Sequence, residues 1–70
     1  MFDDLTLKSK IRIELGVRDI SKDTVEVEVK DGRVTLTGTV DAQEKVKEAE
    51  KAAISIEGVV GVENKLELES

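Results

Sequence analysis

Between Val25 and Val40 apolar and polar residues alternate, broken only at Lys30-Asp31-Gly32-Arg33. An Asp-Gly pair between two alternating runs predicts a two-residue type I′ hairpin, because glycine accepts positive φ without a Cβ clash. With Asp31 and Gly32 as the loop, Val29 faces Val34, Val27 faces Leu36 and Val25 faces Gly38. On the other side Glu28 faces Thr35 and Glu26 faces Thr37. Apolar pairs share one face and polar pairs the other, as a half-buried sheet requires. Lys30 opposite Arg33 is the one poor pairing, with Asp31 beside it to soften the repulsion.

After Val40 the period lengthens from two to about four. Asp41-Ala42-Gln43-Glu44 has the form of a capping box with Asp at the cap. Val46, Ala49, Ala53 and Ile56 then mark one stripe of a helix. The two alanines predict a close approach to the sheet, and Gly38, lacking a side chain opposite Val25, leaves room on the facing surface. Gly58 falls where a left-handed helix cap is expected. From Val62 the period returns to two, with Val62, Asn64, Leu66 and Leu68 facing inward, a third strand.

The first segment is readable in two ways. Leu5, Leu7, Ile11, Ile13 and Leu15 all occupy odd positions, which fits a strand except at Ser9. Leu7, Ile11 and Leu15 also form a helical stripe, with Asp3 and Asp4 where a helix dipole favours anions and Gly16 where a helix would stop. Periodicity alone does not choose between them.

Seventy residues make a single domain with one small core. The chain has no Cys and no His, so disulfides, structural zinc, thiol nucleophiles and imidazole bases are all absent from its chemistry. One Phe and no Trp or Tyr leave no aromatic platform for stacking nucleotide bases. Eleven Lys/Arg against sixteen Asp/Glu give a net charge of −5, the wrong sign for tracking phosphates. No enzyme activity, cofactor, metal or nucleic-acid partner is therefore expected. No apolar run approaches the ~18 residues of a membrane span. The acidic start Met1-Phe2-Asp3-Asp4 is unlike a signal peptide, as expected for a protein that is not exported or for a domain cut from a longer chain.

Polar residues that could carry chemistry have plainer roles. Gly32, Gly38, Gly58 and Gly61 do not form a phosphate-cradling run, and the first three fit a turn, a packing gap and a helix cap. Glu26 and Glu28, with Glu67 on the third strand, read as a solvated sheet face rather than a cation site. Asn64 reads as an amide satisfying backbone groups at the sheet end.

Taken in order, these positions resemble the BON domain, the bacterial osmotic-shock and nodulation module. Asp4, Leu7, Ile11 and Leu15 are similar to its first helix, and Val25 to Val40, with Gly32 and Gly38, resemble its hairpin. Val46, Ala49 and Ala53 are similar to its second helix, and Gly58-Val59-Val60-Gly61-Val62-Glu63-Asn64-Lys65-Leu66 to its close. The likeness covers about 4–68 of a single domain at 1–70. The loop from Gly16 to Ser21 lacks the proline often found there. The resemblance implies an α+β fold in αββαβ order, a three-stranded mixed sheet with two helices packed on one face. It makes the first segment helical. The elements are then expected at about 4–15 and 42–56 for the helices, and about 24–30, 33–40 and 61–68 for the strands.

The resemblance also implies a non-catalytic role: binding phospholipid or attaching proteins to membranes, in the periplasm or elsewhere in the bacterial envelope. The alternative is a structural or protein–protein module that supports neighbouring domains without touching lipid. With the first segment helical, Leu5 and Ile13 fall on its back, among Lys8, Lys10 and Arg12 and against the single carboxylate of Glu14. Either one of the two turns toward the second helix and the other is ordinary exposed surface, or the face is a patch for weak self-association or for lipid. Leu5, Lys8, Arg12 and Ile13 are the candidate lipid- or partner-facing residues.

Overall fold

The computed structural model describes residues 3–20 and 24–69. Met1 and Phe2, and the Ser21 end of the first loop, lie outside them. The elements run α1 (Asp4–Val17), β1 (Val25–Lys30), β2 (Arg33–Val40), α2 (Gln43–Ile54), β3 (Gly61–Asn64) and β4 (Glu67–Leu68). β2 is central: β1 pairs with it antiparallel, and β3 and β4 pair with it parallel on its other side. Both helices cover one face, in the α+β arrangement expected.

The hairpin register is the predicted one, from Val25 opposite Gly38 to Lys30 opposite Arg33. Both loop residues take the positive φ that a type I′ turn demands, 52° at Asp31 and 81° at Gly32. Alternation then drives Val25, Val27, Val34, Leu36 and Val40 into the core. There they meet Ile11 and Leu15 of α1 and Ala49, Ala52 and Ala53 of α2. The alanines let α2 lie close to the sheet, while Val46 and Ile56 pack from the margin.

Helix α1 runs past Gly16. Its end is a Schellman motif: the Ile20 N–H donates to the Leu15 carbonyl and the Asp19 N–H to that of Gly16. The left-handed residue is Asp19, at φ 60°, so Gly16 lies inside the helix. Buried Ile20 follows it. Arg18 then ties the helices, reaching Glu14 at 3.2 Å and Glu48 of α2 at 2.6 Å. The Glu48 hydrogen bond, ahead of Glu14, pushes the Arg18 pKa up.

Three further expectations are corrected. The cap of α2 falls on Ala42, which has no capping side chain, and Asp41 instead binds Lys45 at 2.9 Å. That contact lowers the Asp41 pKa and raises that of Lys45. Gly58, at φ 103°, is beyond the α2 cap at Ser55 and turns the loop leading to β3. The third strand is interrupted, although β3 and β4 keep one register along β2: Leu36 pairs with Asn64 and Thr39 with Glu67.

The interruption faces Gly38, which takes a φ of 115° within the central strand. An added Cβ at Gly38 would stand 1.9 Å from the Thr24 carbonyl oxygen. The glycine therefore admits the β1 backbone and does not make room for α2. Across the break, the Lys65 N–H donates to the Leu36 carbonyl and the Leu66 N–H to Asn64 Oδ1. Leu66 is buried, but Leu68 sits at the last rung beside Val40 and is half exposed, against its predicted inward place.

Candidate functional site

Two carboxylates fix the start of α1. Asp3 caps it, accepting from the Thr6 N–H at 2.7 Å, and this bond holds its pKa below the usual carboxylate value. Asp4 reaches out of the helix altogether. Its carboxylate accepts from the Asp31 N–H at 3.0 Å and the Gly32 N–H at 3.2 Å. The hairpin carbonyl of Gly32 in turn accepts from the Val60 N–H at 2.9 Å. The turn is thus gripped from α1 and from the loop before β3. Gly32 itself is buried, and an added Cβ would come within 3.1 Å of the Gly58 carbonyl oxygen. Val59 is half-buried against the core.

So anchored, α1 buries Leu7, Ile11 and Leu15 and turns its opposite side to solvent. Leu5 is 75% exposed, Ile13 65% and Val17 74%. With Ser9 they stand at steps of four along one stripe, as i, i+4 spacing places them. Lys8 and Arg12 lie on the adjacent stripe, Arg12 exposed and Lys8 partly so. Lys10 is exposed and makes an interaction of its own. Neither Leu5 nor Ile13 enters the core. Val17 lies beyond Gly16, where the sequence predicts the helix to stop, and the same spacing extended by one turn includes it.

The remaining polar residues are spread out. Glu26, Glu28 and Glu67 are exposed on the uncovered face of the sheet. Glu67 pairs along Thr39, whereas Glu26 pairs with Thr37 and Glu28 with Thr35. Asn64 is internal to the fold: its Nδ2 donates to the Val46 carbonyl of α2 at 2.8 Å, and its Oδ1 holds Leu66. Among the described residues no polar or charged side chain is buried, and no group of three or more carboxylates is placed to hold a metal ion. Among them, too, no helix is long and apolar enough to cross a membrane.

Comparison with known proteins gives a family and a curated relative. The family model described as the BON domain matches residues 3–70. Osmotically-inducible protein Y of Escherichia coli (strain K12) is 41% identical over 64 residues, covering 90% of this chain and 32% of that protein. The chain thus spans about a third of the length of this curated relative.

Proposed function

The chain belongs to the BON domain family, and on that premise we propose that it is a non-catalytic module which attaches to anionic phospholipid surfaces of the bacterial envelope through the outer side of α1. The observation that carries the reading is the stripe of Leu5, Ile13 and Val17, each exposed by 65% or more, beside Lys8 and Arg12. A helix with apolar residues flanked by cations suits the boundary between lipid headgroups and acyl chains.

Magnitudes set the expected strength. Full burial of a large aliphatic side chain is worth ~1.5–3 kcal/mol, and each of these residues would bury part of its surface. Lys8 and Arg12 each add up to ~1 kcal/mol at an anionic surface. The gross total is on the order of 5 kcal/mol before repulsion from the remaining charges, corresponding to about millimolar binding. One such contact does not hold a protein on a membrane. Several copies, in an oligomer or within one longer chain, would.

Co-sedimentation with anionic and neutral vesicles tests the proposal. Binding is expected to be weak, selective for anionic vesicles and reduced by salt. The pair Leu5→Ser and Ile13→Ser should lower it while leaving the thermal melt unchanged. Equal recovery of wild type and double mutant from anionic vesicles would overturn the reading and favour a protein-supporting module.

A further inference from the structure

The uncovered face of the sheet carries a second feature, on the side away from both helices. Strand pairing sets its side chains in rows. Lys30, Arg33 and Gly61 form the row next to the hairpin tip, and Glu28, Thr35 and Glu63 form the next. A cleft of about 680 Å³ lies here, lined by Lys30, Asp31, Arg33, Thr35, Gly61 and Glu63. Gly61, with no side chain, leaves the space beside Arg33 open, since an added Cβ there would have no neighbour within 4 Å.

The charges around the cleft are arranged in opposition. Lys30 and Arg33 are directly opposite each other, an unfavourable cross-strand pair. Neither joins an ion pair among the described residues. Asp31 stands beside this first row, and one row further on, about 6.6 Å along the strands, Glu28 and Glu63 flank the Thr35 hydroxyl, Glu63 in a loose, exposed pair with Lys65 at 3.9 Å. A lone anion drawn by the first row is repelled by the second, and a lone cation meets the reverse. A molecule carrying both charges at that separation satisfies both rows.

We propose that this cleft binds small zwitterions of the aminoalkyl phosphate class. The phosphate lies in the open space at Gly61 against Lys30 and Arg33, where the guanidinium fork matches phosphate geometry. The ammonium extends over Thr35 toward Glu28 and Glu63. This site does not depend on the α1 reading, because the helices occupy the other face.

The test is an amide NMR titration with O-phosphoethanolamine, and with ethanolamine and inorganic phosphate separately, at matched ionic strength. Saturable shifts are expected at Arg33, Thr35, Gly61 and Glu63 with a millimolar Kd, and the two half-ligands should bind at least tenfold more weakly. Gly61→Val, which fills that space, and Arg33→Gln, which removes the fork, should each weaken binding about tenfold with the rest of the spectrum unchanged. Phosphatidylglycerol vesicles with and without phosphatidylethanolamine identify the source. Added binding that Arg33→Gln removes assigns the zwitterion to a lipid headgroup, and no added binding assigns it to a free small molecule. Inorganic phosphate binding as well as O-phosphoethanolamine would overturn the proposal, as would shifts confined to other residues or unchanged affinity in Arg33→Gln.

Discussion

Gly38→Ala is the sharpest probe of how this small fold is assembled. The residue sits in the central strand at φ 115°, outside the range that an L-residue adopts without strain, at a cost of ~1–3 kcal/mol. The added methyl would stand 1.9 Å from the Thr24 carbonyl oxygen. Backbone is not a flexible neighbour, so β1 must move away. That movement threatens the Thr39 N–H bond to the same oxygen, at 2.9 Å, worth a further ~0.5–1.5 kcal/mol. The sum is about 3 kcal/mol, against the ~3–5 kcal/mol that one core of this size supplies. The variant should melt on the order of 15 °C lower, from ~4–8 °C per kcal/mol in a domain this small, or be largely unfolded. Gly61→Ala is the matched control, since its methyl meets no atom within 4 Å. Thermal and urea melts followed by circular dichroism compare the two. A Gly38→Ala midpoint equal to that of Gly61→Ala would refute the close approach of the Thr24 carbonyl to Gly38.

Two further substitutions test contacts between distant parts of the chain. Asp4→Ala removes the carboxylate that accepts from both hairpin amides, and should cost ~1–2 kcal/mol as a partly exposed pair of charge-assisted bonds. Faster hydrogen exchange at Asp31 and Gly32 should accompany the loss, and unchanged exchange there would show that the turn holds itself. Asn64→Leu keeps the size of the side chain but leaves the Leu66 N–H and the Val46 carbonyl without this partner. It should cost ~1–3 kcal/mol; a melt as stable as wild type would mean that the amide is dispensable and the strand break has another origin.

The parts legible in the sequence are those whose cause is local. Asp31-Gly32 and the alternation around it contain the whole physics of a two-residue hairpin, and the register from Val25 to Val40 follows. The helix of the first segment needed more, because its apolar residues fit both periods. Other features depend on contacts that spacing does not encode. Asp4 has a sufficient local explanation in the helix dipole, which hides its bonds to residues 27 and 28 positions away. Gly16 looks like a helix stop, yet the left-handed seat went to Asp19, because the chain ends the helix where Ile20 can follow Leu15 into the core. Alternation continues unbroken through Lys65 and Leu66, so periodicity carries no trace of the lost ladder bonds opposite Gly38. Among the candidate surface residues, Leu5 and Ile13 are placed by the helical wheel once α1 is a helix, whereas Val17 depends on where that helix ends.

The anchoring of α1 bears on how weak contacts could serve this module. The helix is held at its start by Asp4 on the hairpin turn and at its end by Arg18 on Glu48 of α2. Leu5 and Val17, the two ends of the exposed stripe, each adjoin one of these ties. The stripe is therefore presented as a rigid unit, and docking it on a surface orders no backbone that was previously free. That removes one of the largest penalties on association. It leaves a contact of roughly millimolar strength limited by its small area. Rigidity favours repetition in such a case, because linked copies that share one orientation can engage a flat surface together, and each added contact becomes intramolecular at an effective concentration set by the linker. A loosely held helix would lose much of that gain to reorientation. On this argument Asp4→Ala should weaken attachment more in a protein with several linked copies than in the single chain, although the residue touches no lipid. Equal loss in both would place the effect in folding stability alone.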